Sequence, residues 1–345
     1  MKITIITVCL FVIGIPLLPA QQLDLSTQYR YNWQSLNPAA TNYIKIADKY
    51  KKNILNVSGN TQRITEDWAI DPLTLTFRYE NYPELPNRDV KIKWGAFVVQ
   101  EKLAAIETLK FNGNLAGILP LNREGTQTLS VGLNVGAYQQ DINMENIRFA
   151  SGQTPSSETF NRIVPDVAAG IFYQYNNEED CMTCTSFGVR RLYAGLSALQ
   201  LVNFPEIGVN TGDFYVEPTQ HLYLLAGVVV PFFGQFNNQE NTIETSFWMR
   251  YIPNLSYITL QENGLPISTD FNVRVNCGKF LWGGAGFGSN KLVHTELGIT
   301  LDDSGGYSNG ENLYLINIGM SYSFPVGWEQ LRGDVYEVTI GYAWK

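Results

Sequence analysis

Few residues in this chain have both the type and the spacing for covalent, metal or redox chemistry. Cys181 and Cys184 stand two residues apart. In a reducing compartment that spacing suits a redox couple or half of a zinc site. In an exported chain it suits a disulfide. A redox centre lacks its βαβ context here, and a zinc site would need two more ligands than the neighbourhood offers. A disulfide stapling the tip of one loop is the first reading, with free thiols and a metal or redox role as the alternatives. Cys277 reads as unpaired on an outward apolar face. The two histidines, His221 and His294, each sit in a strand-like stretch without metal-ligand spacing. A lone strand histidine is ordinarily a satisfied structural residue. There is no Gly-x-Ser-x-Gly elbow and no phosphate loop of the Lys-Ser/Thr type. A hydrolase needs a nucleophile beside its histidine. His294 near an inward Ser or Glu is the one place for it, and nothing in the sequence selects that place. The expectation is a protein that is not an enzyme, with no catalytic residue, no metal site and no cofactor.

The elements that would carry these residues are strands. The last stretch, Val335 to Lys345, shows the design. Tyr336, Val338, Ile340, Tyr342 and Trp344 fall on one face, and Glu337, Thr339, Gly341 and Ala343 on the other, because side chains alternate along a strand. About ten residues is what a tilted strand needs to cross a bilayer. Tyr336, Gly341, Tyr342 and Trp344 mark it as the closing strand of a barrel, ending in aromatics as at a membrane interface.

The same design recurs upstream, and about fourteen strand candidates follow Lys52. The cleanest runs from Thr128 to Gln139. Leu129, Val131, Leu133, Val135 and Ala137 point one way; Ser130, Gly132, Asn134, Gly136 and Tyr138 point the other. A first strand from Asn53 is expected to end at a Gly59-Asn60 turn. A long polar loop is expected from Asp141 to Ile163. Glycines on the inner faces leave room for a packed interior or for strand coiling. Periodicity alone does not separate a membrane barrel from a soluble sandwich, because both alternate.

Composition favours the barrel. Charged residues make up 16% of the chain, against roughly a quarter in an ordinary soluble domain. There are 30 Gly, 19 Tyr, 18 Phe and 7 Trp. The net charge of −8 argues against nucleic acid as a partner. The chain opens Met-Lys, then runs apolar from Ile3 to Leu18, with Ala20 before Gln21-Gln22. That is the pattern of a secretory signal peptide over residues 1–20. No other apolar run is long enough for a spanning helix, so a membrane-spanning form must be a closed barrel. The expected organisation is residues 1–20 as signal peptide, 21–50 as a periplasmic or plug-like segment, and 51–345 as an all-β transmembrane barrel of about 14 antiparallel strands in the outer membrane.

Several segments taken together resemble the PorP/SprF family of the bacterial type IX secretion system. Ser26-Thr-Gln-Tyr and Asn37-Pro-Ala-Ala are similar to the family's opening pattern. Leu129-Ser-Val-Gly-Leu-Asn-Val-Gly, Pro165-Asp-Val-Ala-Ala-Gly-Ile-Phe-Tyr and Arg191-Leu-Tyr-Ala-Gly-Leu-Ser-Ala follow in order. Phe271-Asn-Val-Arg-Val-Asn with Leu281-Trp-Gly-Gly resembles its late hairpin, and Tyr336-Glu-Val-Thr-Ile-Gly-Tyr its closing strand. Departures are the Cys-bearing insertion between Asp180 and Arg190, and Ala198 where the family has Pro. The resemblance implies an outer-membrane barrel without catalytic residues that helps export or surface-anchor cargo. The implied partners are outer-membrane lipid, a periplasmic ring lipoprotein with its own partner, and secreted cargo bearing a C-terminal sorting domain. In some bacteria the family is linked to gliding motility. An outer-membrane channel or transporter for small solutes is the alternative.

Overall fold

The computed structural model describes residues 29–41, 45–46, 49–50, 52–63, 71–83, 90–103, 106–143, 159–177, 188–202, 220–236, 239–253, 267–278, 280–289, 291–302, 314–326 and 333–344. After a two-strand ribbon, β1 (Lys45–Ile46) and β2 (Lys49–Tyr50), the chain runs through fourteen strands. These are β3 (Asn53–Arg63), β4 (Leu73–Asn81), β5 (Lys91–Leu103), β6 (Ile106–Pro120), β7 (Gln127–Asn143), β8 (Thr159–Asn176) and β9 (Arg191–Leu199). They continue as β10 (His221–Phe236), β11 (Gln239–Tyr251), β12 (Ile267–Cys277), β13 (Leu281–Gly288), β14 (Leu292–Asp302), β15 (Tyr314–Pro325) and β16 (Asp334–Trp344). Each strand pairs antiparallel with the next. β16 then pairs with β3, from Asp334 opposite Arg63 to Trp344 opposite Asn53, and the sheet closes. Closure leaves no strand edge along the seam, which is the condition for a sheet in lipid.

The two faces of the wall decide between membrane barrel and soluble sandwich. On β7, Val131, Leu133 and Val135 point outward and are exposed, with Val135 at 62%, while Ser130, Asn134 and Tyr138 point inward and are buried. On β16, Tyr336, Val338, Ile340 and Tyr342 are exposed, whereas Glu337 and Thr339 are buried. Apolar side chains outside and polar ones inside invert the arrangement of a water-soluble fold. They match a lipid-facing band around a polar lumen. The fold is an outer-membrane-type β-barrel of fourteen antiparallel strands.

Two expectations about strand ends need correction. Gly59 and Asn60 do not turn. They lie within β3, where Gly59 pairs with Val338 on one side and Leu75 on the other. The alternation of Val57 out, Ser58 in continues through them, and that register outweighs the local turn signal. The loop expected over Asp141 to Ile163 is shorter, because β7 runs to Asn143 and β8 starts at Thr159. Pro165, of a residue type that disfavours central strands, lies within β8 all the same. It sits where β8 has run past the end of β9, whose pairing reaches only Ala169, so that side of β8 is an edge.

The barrel has two unlike ends. At the terminal end β3 begins and β16 finishes; its connections include the short 237–238 and 278–280 and the longer 177–190 and 303–313, while the opposite end has the short 104–105 and 289–291. The longest connections, 144–158, 200–220 and 252–266, lie at the opposite end. Cys181 and Cys184 fall in the β8–β9 connection at the terminal end, outside the described residues, as does the whole of 1–20.

Candidate functional site

A barrel this wide cannot fill its own lumen with side chains alone. Here residues 29–41 lie inside it. They form one 3-10 turn (Tyr29–Tyr31), one short helix, α1 (Trp33–Leu36), and a bend through Asn37-Pro38. Pro38 ends the helix, since a residue before proline avoids the helical region. Asn37 then caps the bend through its own side chain, whose Oδ1 accepts from the Ala39 amide at 2.9 Å. Gln34, Ala39, Ala40 and Thr41 are all buried.

Charge fixes one end of this inner segment. Arg30 donates from Nη1 to Glu296 Oε1 of β14 at 3.0 Å, and from Nη2 to Ser246 Oγ of β11 at 2.8 Å and Asn272 Oδ1 of β12 at 3.1 Å. Its Nε lies 3.0 Å from Glu244 Oε1. Arg274 grips Glu296 with two parallel bonds, 3.0 Å from Nε and 2.9 Å from Nη2. The result is a neutral quartet of two arginines and two glutamates in the lumen, each charge facing an opposite one. Arg274 also stacks 3.8 Å over the Trp282 ring and lies above Tyr31. Burial pushes the Tyr31 phenol up from its ordinary value, and the Arg274 cation pulls the other way.

Apolar packing fixes the middle. Trp33 sits among Ala39, Ala40, Phe172, Tyr193, Leu225 and Trp248, the larger of the apolar clusters inside the wall. Its ring centroid is 4.7 Å from that of Tyr193, and Arg191 covers its face at 5.1 Å. Backbone contacts fix the rest. Asn134 donates to the Gln34 carbonyl (3.3 Å), Ser197 to that of Leu36, Asn114 to that of Pro38 (2.9 Å) and Lys93 to that of Ala40. Asn37 Nδ2 returns the pattern, donating to the Ile171 and Leu196 carbonyls of the wall at 3.0 and 3.3 Å. The wall comes this close only where it lacks side chains. A Cβ on Gly132 would stand 2.5 Å from the Pro38 carbonyl, and one on Gly170 would stand 2.2 Å from Asn37 Oδ1.

Between the quartet and the terminal end lies a cavity of about 160 Å3, lined by Arg30, Tyr31, Trp33, Arg191, Glu244 and Arg274 among others.

The residues singled out from sequence are not brought together. His221 stacks on Tyr223 in the lumen. His294 sits among groups that could suggest a hydrolase: Asp270 Oδ2 at 3.6 Å from Nδ1, and Ser323 directly across on β15. Its Nε2, however, meets Asn272 Nδ2 at 2.9 Å, and the buried Ser323 Oγ makes no hydrogen bond among the described residues. The nucleophile–base bond that defines such a site is not formed. Cys277 is a free thiol, partly buried. No group of three metal-ligating side chains occurs among the described residues. Tyr336, Gly341, Tyr342 and Trp344 lie on β16 at the closure seam, pairing with Thr61, Asn56, Leu55 and Asn53 of β3. Sequence reasoning missed Arg30, Glu244, Glu296 and Arg274. The available signal was their rarity: arginines and glutamates on the inner face of strands in a chain so poor in charge.

Among curated proteins none matches the chain. Solved structures of similar shape include the toluene transporter TodX of Pseudomonas putida. It is 10% identical, covers 92% of this chain and 93% of that one, and has a TM-score of 0.49. The toluene transporter TbuX of Ralstonia pickettii is 9% identical over 90% and 92%, with a TM-score of 0.47. The transport unit of the autotransporter AIDA-I of Escherichia coli is 11% identical over 94% and 100%, with a TM-score of 0.41. Likenesses this distant carry no argument about function. The family comparison is of another kind, because the model for type IX secretion system membrane protein PorP/SprF matches residues 18–342, almost the entire chain. With that match the chain belongs to the PorP/SprF family of type IX secretion system membrane proteins.

Proposed function

We propose that the chain, freed of residues 1–20, resides in the outer membrane as a non-enzymatic component of the type IX secretion system. It supports export or surface anchoring of cargo bearing a C-terminal sorting domain, and in some bacteria gliding motility. The observation that carries this reading is the filled lumen: residues 29–41 cross it and are tied to nine strands of the wall. A barrel occupied in this way suits a docking platform better than a conduit. Its lipid face is committed to the bilayer, which leaves the two ends for partners. Short turns face the periplasm in barrels of this kind and long loops face outward. Because the three longest connections lie at the opposite end, this reading assigns the terminal end to the periplasm, where the ring lipoprotein and its partner would meet the barrel. Cys181 and Cys184 fall at that end, and a disulfide between them would shape one docking loop.

Shortening the connection between Asn176 and Arg191 tests the reading. The barrel should assemble, while sorting-domain cargo should vanish from the surface proteome. Unchanged secretion in that strain, and also in one lacking the barrel, would sink the assignment. The second reading, a channel for small solutes, draws on the polar lumen and its cavity. It requires the inner segment to leave, and steady conductance of the intact protein in planar bilayers would promote it.

A further inference from the structure

The cavity beside the inner segment carries more positive charge than its carboxylates answer. Its walls come from the segment on one side and from β3, β9, β11, β12, β15 and β16 on the other. Three of the lining side chains are arginines: Arg30, Arg191 and Arg274. Two carboxylates meet them. Glu244 takes Arg30, and Glu296 takes Arg30 and Arg274 together. Arg191 is the third cation, and it forms no ion pair with a carboxylate among the described residues. It is held by ring faces instead, its guanidinium 5.1 Å from the Trp33 centroid and 5.2 Å from that of Tyr193. A guanidinium stacked on rings keeps its N–H edge for a planar acceptor. The neighbouring wall does not cancel the excess. On β4 and β5, Arg78 and Lys93 are buried with a single buried carboxylate, Glu80.

The rest of the lining sets the size and shape of what fits. Gly341 of β16 lies between Asn317 of β15 and Asn56 of β3 and pairs with each. Its missing side chain leaves a recess with an amide on either hand. A Cβ there would stand 2.6 Å from Asn56 Oδ1. Asn317 commits its oxygen to the Thr300 hydroxyl at 2.6 Å, so its NH2 group is the one left to donate. Ile54, Ala343 and the Trp33 ring add apolar surface. The volume is about 160 Å3. A cavity of about 150 Å3 takes up benzene. The space suits one small ring or branched chain with a charged head, and it is too small for a peptide segment.

We propose that this cavity is a binding site for a small organic carboxylate. The charged head meets the Arg191 guanidinium, and the apolar body lies between Trp33 and the β3–β16 seam. Bound there, the acid touches the inner segment and the seam at once and holds the two together. The proposal does not depend on the secretion reading, because it concerns the purified barrel.

The test titrates the whole chain, purified in detergent, with benzoate in a calorimeter. Benzoate should bind at one site per barrel and raise the temperature at which the heat-dependent gel shift occurs. Benzamide, of the same shape without the charge, should bind about tenfold more weakly or worse, and Arg191→Gln should weaken benzoate by a similar factor. Because Arg191 also packs on Trp33, a second variant keeps every charge. Gly341→Ala fills the recess with only the Asn56 side chain to move aside, and it should lose benzoate while the gel shift persists. No saturable benzoate binding by the unaltered chain would overturn the proposal, as would equal binding of benzamide or undiminished binding by either variant. Glu178, Glu179 and Asp180 precede Arg191 in the sequence. Binding that appears only after Glu178→Gln, Glu179→Gln and Asp180→Asn together would also overturn it, by making the chain's own acidic stretch the counter-charge.

Discussion

The outward row of β7 and the inner segment behind it lie a single strand apart and obey opposite rules. Leu133 is held by a solvent: it faces lipid, half-exposed on the outer wall, and another large apolar residue would serve. Asn134, the next residue, is held by individuals. It is 1% exposed, accepts from Asn114 Nδ2 at 2.6 Å and donates to the Gln34 carbonyl. The outer face is therefore many small, interchangeable contributions, and the lumen is a few specific ones. A change outside should matter by its chemistry and depth. A change inside should matter by which partner it abandons.

The harshest way to press this comparison is to remove the wall itself. Deleting Tyr336–Lys345 takes away both the β15–β16 and the β16–β3 ladders. Open edges in lipid leave backbone groups without partners, so assembly should be abolished. Loss of the heat-dependent gel shift in membrane fractions checks it; a folded barrel without β16 would break the account of closure.

Next in size is the abandoned partner. Arg30→Ala leaves Glu244 without its cation, while Arg274 continues to hold Glu296. Breaking one side of a buried pair costs about 3–5 kcal/mol, and this should fall toward the lower figure. Denaturant unfolding in detergent measures it, and adding Glu244→Gln should recover part of the loss.

How far such contacts could be read from sequence follows from their range. The alternation of β7 is visible within a dozen residues, because lipid acts on every second side chain alike. The same rule made β16 and the count of fourteen strands legible. It also overrides Gly59-Asn60 and Pro165, which signal turns locally but lie within strands. Arg30 and Glu296 are 266 residues apart, and no local pattern ties them. The inner glycines left room for a packed interior, a pore or strand coiling, and did not say which, nor which residues would meet them. Family resemblance placed Ser26-Thr-Gln-Tyr and Asn37-Pro-Ala-Ala at the chain's start without saying that the second of these lies in the lumen.

The outer rule has its own test, of smaller expected size. Leu133→Arg puts a charge into the lipid band and should cost about 2–4 kcal/mol if it lies near the midplane. Leu133→Phe should cost little. Equal tolerance of Arg and Phe at this position would contradict the assigned faces.

The smallest effect concerns a single main-chain contact. Ser197→Ala removes the donor to the Leu36 carbonyl and should cost about 0.5–1.5 kcal/mol. The loss should disappear in a chain already lacking residues 29–41, if that chain folds. A cost that persists there would place the role of Ser197 in the wall rather than in holding the segment.

The central claim is that residues 29–41 close the lumen of an intact barrel. Single-channel recording of the purified, full-length mature protein in planar bilayers tests it most directly. The account predicts silence across a range of voltages, with conducting events appearing when Arg30→Ala and Trp33→Ala loosen the segment. Steady ohmic conductance from the unaltered protein would contradict it.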